Sequence, residues 1–185
     1  MALFTGKGDK GTTKLFDSKQ GERVSKTSDI FEALGTLDEL NAVLGLCKVH
    51  TPRELHGGGE QVDSLLHTVQ DHIFTAQAEL AGAEKYIPES SIQEMEMVIE
   101  RIEKELPEIK TFFVPGGCIS AAWFDFARTV SRRAERRVLA VCETGDRDIN
   151  EHTRTYLNRL SSLLYAFARL ANHSEEMLEK APRYR

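Results

Sequence analysis

The residues with the clearest capacity for chemistry form a stretch near the N-terminus, TGKGDKGTT over residues 5–13. Glycines let backbone N–H groups turn toward an anion without obstruction by a Cβ atom. The hydroxyls of Thr12 and Thr13 and the nearby lysines could add donors to a triphosphate. The stretch is not a Walker A loop, because Thr12 stands at the position of the lysine. A flexible, solvated N-terminal segment remains the alternative.

A second cluster is RTVSRRAERR over residues 128–137, in which five arginines accompany one glutamate, Glu135. On a helix, Arg128, Arg132 and Glu135 share one face, with Arg136 beside them. Arginine forks bind phosphate oxygens in a bidentate manner. Glu135 could orient an arginine or hold Mg²⁺ through water. An exposed face of ordinary ion pairs is the alternative interpretation.

The excess of positive charge in this cluster requires compensation, because like charges four residues apart destabilise a helix. We therefore expect a bound anion or an acidic neighbour, and Asp38 or Glu39 could be that neighbour.

A third feature is FFVPGG over residues 112–117, where two aromatic residues precede a rigid proline and two glycines. The aromatic rings could form the wall of a pocket. They could equally cover the core at a tight connection between two helices. Further along the chain, Asn158 and Arg159 interrupt an apolar series, which indicates either a hydrogen-bonding role or the polar edge of an amphipathic helix.

The composition is that of an ordinary globular domain. The chain has 185 residues, 24 basic and 29 acidic side chains, and a net charge of −5. This balance disfavours a nucleic-acid binder, and no run approaches the ~20 apolar residues of a membrane span. Three cysteines without CxxC spacing indicate reduced thiols. The N-terminus does not resemble a signal or transit peptide, which favours a cytoplasmic location.

Helical periodicity predicts the elements that must position these residues. We expect one domain over residues 1–185, with an irregular glycine-rich segment at 1–26 and a helical bundle at 28–179. The predicted fold is all-α, an up-and-down five-helix bundle with a four-helix-bundle core. The helices are expected from Ser28 to His50, from Glu60 to before Gly82, from Ser90 or Ser91 to Leu106, from Ser120 to Cys142, and from Ile149 to Leu178.

Taken together, the motifs resemble the PduO-type ATP:cob(I)alamin adenosyltransferases, a corrinoid adenosyltransferase family. The matching segments are TGKGDKGTT at 5–13, GTLDELNA at 35–42, FFVPGG at 112–117, ARTVSRRAERR at 127–137 and YLNRLS at 156–161, together with Lys26. The resemblance implies transfer of the 5′-deoxyadenosyl group of ATP to the Co(I) of cob(I)alamin or a related corrinoid, which yields adenosylcobalamin and triphosphate. It also implies a homotrimer with ATP between neighbouring subunits, Mg²⁺ bound with ATP, and a flavin-type reductase as a possible partner.

The resemblance assigns residue roles as well. It implies that ATP contacts Thr5, Gly6, Lys7, Gly8, Thr13, Lys14, Lys26, Arg132, Arg133, Glu135, Arg136 and Asn158. Glu135 would also approach the Mg²⁺. Asp38 would pair with Arg128 across a subunit boundary, and Phe112 would line the corrinoid side and displace the lower axial base. Asp125 departs from the family pattern, which has histidine in many members.

Two other classes remain open on the residues alone. A helical nucleotide- or RNA-binding regulator would use the arginine face for affinity and show steep salt dependence. A structural oligomerisation bundle would use the same charges only for pairing between subunits.

Overall fold

The computed structural model describes residues 3–184, and these contain five α-helices. Their bounds are α1 Asp29–His50, α2 Val62–Leu80, α3 Glu89–Glu105, α4 Ile119–Thr144 and α5 Glu151–Ser174. Helix α4 packs most extensively, against α1 on one side and α5 on the other, while α2 lies on α1 and α3 lies on α5. The prediction of an all-α bundle is confirmed.

The core follows from the apolar positions that recur every three or four residues along each helix. Leu37, Leu40 and Leu44 of α1 are fully buried. Between α4 and α5, the rings of Phe124 and Phe167 pack with their centroids 5.5 Å apart. This seam holds the central helices rigidly, so that the polar side chains on their outer faces keep a defined geometry.

The first residues of the helices agree only in part with the serines that the sequence predicts as N-cap residues. Ser28 is the N-cap residue of α1, but its hydroxyl donates to the carbonyl of Ser25 instead of capping the helix. Ser90 and Ser91 lie inside α3, whose N-cap residue is Pro88. Helix α4 ends where Gly145 adopts a left-handed conformation, with φ of 76°.

Helix α5 ends at Ser174, four residues before the predicted end at Leu178. Glu176 has φ of 52°, and the N–H groups of Glu176 and Met177 donate to the carbonyls of His173 and Asn172. These two bonds form a Schellman motif, which terminates a helix. The usual glycine is absent at this position, so the sequence carried no signal for the stop.

Two short hairpins accompany the helices. Strands β1 (Thr12–Thr13) and β2 (Val24–Ser25) pair in the N-terminal segment, and β3 (His56–Gly57) pairs with β4 (Glu60–Gln61). Gly58 and Gly59, expected only to break a helix, both have positive φ and form the two-residue turn of the second hairpin. Within residues 3–184, none of the helices combines the length and the apolar character needed to cross a membrane.

Candidate functional site

A cavity of about 1100 Å³ lies at the end of the bundle where α4 begins. Residues 109–117 form one wall, the outer faces of α4 and α5 form another, and residues 177–180 close a third. Arg128 and Arg132 of α4 line this space together with Phe112. The cavity therefore combines an apolar wall with two guanidinium groups, and it is large enough for a ligand bigger than a nucleotide.

The loop that carries Phe112 is held through its glycine turn. Asn172 of α5, which is buried, donates from Nδ2 to the carbonyl of Gly116 at 2.9 Å and accepts from the N–H of Cys118 at 3.0 Å. Gly117 has φ of 108°, and a Cβ atom there would lie 2.1 Å from Asn172 Oδ1, so glycine is required. The backbone is fixed while the Phe112 side chain, 79% exposed, remains free to contact a ligand.

Arg128 is oriented by two groups of its own chain. Its Nε atom donates to Oδ1 of Asp125 at 3.1 Å, and its guanidinium carbon lies 5.9 Å from the centroid of the Tyr165 ring. One helical turn further, Arg132 is exposed, and its backbone carbonyl accepts a bond from Arg136 at 3.0 Å. The guanidinium group of Arg132 is thus available to an anion in the cavity.

The remaining charged groups of α4 have partners on neighbouring helices. Arg133 forms an ion pair with Glu39 of α1, so Glu39 is the acidic neighbour anticipated from the charge excess. Glu135 accepts a hydrogen bond from Nδ2 of Asn158 at 2.7 Å. Asp38 is exposed and forms no ion pair with any residue that the structure describes.

Glu135 is the residue that the family resemblance assigns to a magnesium ion. The described residues contain no group of three or more histidine, cysteine or acidic side chains arranged as a metal site. Mg²⁺ is commonly held by one or two carboxylates together with substrate phosphates and waters. Within residues 3–184, Oε1 of Glu135 takes part in a side-chain hydrogen bond and Oε2 takes part in none, so Oε2 could bind such an ion.

The N-terminal loop is folded into a compact turn. Gly11 N–H donates to the carbonyl of Gly8, and Lys26 N–H donates to the carbonyl of Gly11 at 2.9 Å. The Lys26 side chain crosses Gly8 so closely that a Cβ atom at this glycine would lie 2.9 Å from Nζ. Lys26, which is distant in sequence, is therefore placed directly over the glycine-rich turn.

Arg23 organises this loop, and sequence reasoning missed it. Its Nη2 atom donates to the carbonyls of Lys7, at 2.8 Å, and Thr12, at 2.5 Å, and its Nε atom donates to the Thr12 hydroxyl at 2.8 Å. The signal that could have found it is a single arginine among the lysines between the glycine-rich stretch and Lys26.

The glycine-rich loop lies at one end of the bundle, and the loop that carries Phe112, residues 107–118 and hereafter the aromatic loop, lies at the opposite end. Phe16 N–H donates to the carbonyl of Ala81 at the end of α2, and Asp17 pairs with Arg147, just after α4, at 2.8 Å. The hydrogen bond from Arg147 lowers the pKa of Asp17. Of the predicted ATP-binding residues, only Arg132 lines the cavity; the other described ones, which lie elsewhere, are Thr5, Gly6, Lys7, Gly8, Thr13, Lys14, Lys26, Arg133, Glu135, Arg136 and Asn158.

A second residue missed from the sequence is Arg169 of α5, which is 5% exposed. It donates from Nη2 to the carbonyl of Pro107 at 2.9 Å and lies 5.5 Å from the centroid of the Phe113 ring. Its position within the apolar run Ala166–Ala171 was a signal, because a buried arginine requires partners.

Comparison with known proteins places this geometry in a family. The sequence model of the cobalamin adenosyltransferase family matches residues 3–171. The chain is 40% identical over 176 residues to the corrinoid adenosyltransferase PduO of Salmonella typhimurium, covering 91% of this chain and 49% of that protein. It is 39% identical over 178 residues to the corrinoid adenosyltransferase of Bacillus subtilis, covering 93% of this chain and 87% of that protein.

A solved structure shares the fold over nearly its whole length. It is a variant of the PduO-type ATP:corrinoid adenosyltransferase from Lactobacillus reuteri complexed with cobalamin and ATP, with a TM-score of 0.86 and 27% identity. The match covers 98% of this chain and 97% of that one. The chain spans about half the length of the curated PduO relatives that it matches.

Proposed function

Because the chain belongs to the cobalamin adenosyltransferase family, we propose that it transfers the 5′-deoxyadenosyl group of ATP to the Co(I) of cob(I)alamin or a related corrinoid, with release of triphosphate. The observation that carries this proposal is one cavity lined by Phe112, Arg128 and Arg132. It offers an apolar surface to a large macrocycle and, at Arg132, a guanidinium group to the departing phosphate chain.

The reaction requires no nucleophile from the protein. Co(I) donates an electron pair to C5′ of ATP, the C5′–O bond breaks, and its electrons leave with the triphosphate. Negative charge grows on that leaving group, and preorganised cations are the main means of stabilising such charge. Arg132 on α4 and Lys26 over the glycine-rich turn are the side chains that we assign to this role.

Phe112 is assigned to the corrinoid. Its exposed ring projects from a loop whose backbone is held by Asn172, so the ring has a fixed base and an apolar surface. Such a surface excludes water and the lower axial base from the cobalt. Loss of that base makes reduction of Co(II) to Co(I) easier.

A homotrimer with ATP between neighbouring subunits accounts for the separation of the two halves of the site. The glycine-rich loop with Lys26 lies at the end of the bundle opposite to the aromatic loop, so one copy alone does not surround ATP. A neighbouring copy would supply the loop. Asp38, exposed on α1, would then pair with Arg128 of its neighbour.

Mg²⁺ belongs to the same proposal. It would enter with ATP, be held by Glu135 beside Asn158, and help to neutralise the triphosphate when bound. A flavin-type reductase would deliver the electron for Co(I). Three free cysteines are typical of a reducing compartment and support a cytoplasmic location. We treat residues 1–185 as one adenosyltransferase domain.

The test is direct incubation with ATP, Mg²⁺ and chemically reduced cobalamin, followed by corrin absorbance. Conversion to the adenosylcobalamin spectrum, with stoichiometric triphosphate release, supports the proposal. Absence of conversion while the cobalt is verified as Co(I) refutes it. Omission of ATP provides the control for spontaneous changes of the corrinoid.

A further inference from the structure

Asp125 contacts both the aromatic loop and the arginine face of α4. Its side chain is buried, with 9% of the residue exposed. Oδ2 accepts a hydrogen bond from the N–H of Gly116 at 3.3 Å, and Oδ1 accepts one from Nε of Arg128 at 3.1 Å. One carboxylate therefore joins the turn that follows Phe112 to the guanidinium that lines the same cavity.

The Gly116 peptide is held from both sides. Asp125 of α4 accepts a hydrogen bond from its N–H group, and Asn172 of α5 donates one to its carbonyl at 2.9 Å. Asn172 anchors the turn to the bundle, and within residues 3–184 its side chain forms no hydrogen bond with Arg128. Asp125 is thus the contact through which a displacement of the loop would alter the orientation of Arg128.

The chemistry of this position requires two acceptors. Both partners, the Gly116 N–H and the Arg128 Nε–H, are donors, and an ionised carboxylate accepts through both oxygens. An asparagine amide has one acceptor oxygen and presents N–H donors on its other side. Replacement of Asp125 by asparagine would therefore place a donor against one of these two donors.

We propose that Asp125 is a positioning residue that couples the aromatic loop to Arg128, so that Phe112 meets the corrinoid in one fixed orientation relative to Arg128 and α4. The expected change in the corrinoid KM rests on the proposed function. The expected loosening of the loop does not. Arg128 binds Asp125 through Nε, which leaves its terminal nitrogens for another partner.

The first experiment needs no substrate. Hydrogen exchange of the apo protein is compared for the wild type, Asp125→Asn, and Glu143→Gln, an exposed carboxylate change on the same helix. We expect amides of residues 112–118 to exchange about tenfold faster in Asp125→Asn and to be unchanged in Glu143→Gln. Unchanged exchange in Asp125→Asn would overturn the proposal. If this variant does not fold, Asp125→Glu, which retains two acceptor oxygens, is measured in its place and should also loosen the loop, because the longer side chain displaces one oxygen.

The second experiment separates coupling from loop rigidity alone. In Asp125→Asn, the KM for the corrinoid should rise about tenfold, the KM for ATP should stay within about twofold, and the Co(II) absorbance change on binding should diminish. If the loop amides exchange faster but the corrinoid KM and the Co(II) spectrum are unchanged, Asp125 only stabilises the loop. That result would overturn the proposal that Asp125 couples the loop to Arg128. Failure of the wild type to convert cob(I)alamin would refute the proposed function. The hydrogen-exchange result would still show whether Asp125 holds the loop at Gly116.

Discussion

Arg169 of α5 and Glu179 of the C-terminal tail form a bifurcated ion pair, with Nε of the arginine 3.3 and 3.2 Å from the two carboxylate oxygens. A second contact holds the tail, because the N–H group of Val114 donates a hydrogen bond to the carbonyl of Lys180 at 2.8 Å. Because Arg169 is buried and also bonds Pro107, it connects the start of the aromatic loop to the tail. Arg169 of α5 thus contacts two of the segments that border the cavity, the aromatic loop and the C-terminal tail.

Replacement of Arg132 by alanine should reduce turnover with ATP and cob(I)alamin about a hundredfold or more, because a preorganised cation near the leaving group is lost. Arg137→Ala provides the matched control, since Arg137 is exposed on the same helix and does not line the cavity. Single-turnover corrin absorbance measures the rate. Near-wild-type turnover of Arg132→Ala would remove Arg132 from the proposed role.

Replacement of Phe112 by alanine should slow reduction of the bound corrinoid about tenfold while ATP binding is unchanged, because water and the lower base regain access to cobalt. The ring is 79% exposed, so its loss should not unfold the protein. The comparison is between enzyme-reduced and chemically pre-reduced corrinoid. An equal loss of activity with enzyme-reduced and with pre-reduced corrinoid would indicate a packing defect instead. Phe74→Ala, which removes an exposed ring from α2, is the control for lost apolar surface.

Replacement of Asp38 by asparagine should weaken the trimer or the ATP site at its boundary. Asp38 is exposed and has no ion-pair partner in its own chain among residues 3–184, whereas its neighbour Glu39 pairs with Arg133. Sedimentation velocity and an ATP titration measure the two effects. Asp29→Asn, an exposed change at the start of α1, is the control, and two unchanged measurements for Asp38→Asn would contradict the prediction.

Replacement of Arg23 by alanine should raise the KM for ATP about tenfold and leave the KM for the corrinoid unchanged. The guanidinium holds the carbonyls of Lys7 and Thr12, and without it the glycine-rich loop loses its fixed shape. Initial rates at varied ATP concentration measure the effect. Lys19→Ala removes a positive charge from the same segment outside these contacts, and an equal rise in that variant would reveal a general charge effect.

Stability should fall below about pH 6.5 in a manner that depends on His72. Its Nδ1 lies 2.9 Å from the Tyr156 hydroxyl and its Nε2 lies 3.2 Å from the Ser91 hydroxyl, linking α2 to α5 and α3. Burial lowers the pKa of His72, against the opposing effect of Glu94 and Asp71. As the pH falls, the unfolded chain binds a proton first, so folding loses free energy.

The measurement is urea unfolding at several pH values between about 5 and 8, for the wild type, His72→Gln and His67→Gln. The free energy of unfolding should decline less steeply toward low pH in His72→Gln. His67 is exposed, and its replacement should leave the slope unchanged. Identical slopes in all three proteins would exclude His72 as the source.

Much of the fold was predictable because helical periodicity is a local property. The apolar stripe of α1 and the glycine at the end of α4 predicted their helices closely. The end of α5 was missed because Glu176 adopts a left-handed conformation without a glycine to mark it. The hairpin turn at Gly58 and Gly59 was missed because its strands are only two residues long.

The sequence by itself determined the helices, the residue types able to bind a triphosphate, and the aromatic loop. Periodicity, charge and glycine content are encoded along the chain. Only the tertiary structure decided that Asp125 joins Gly116 to Arg128 and that Arg23 lies against the N-terminal loop. It also placed that loop and the cavity at opposite ends of the bundle. The first two relationships depend on how a loop folds back onto α4 and how the N-terminal segment closes on itself. The third depends on how the helices pack against one another, and helical periodicity encodes none of the three.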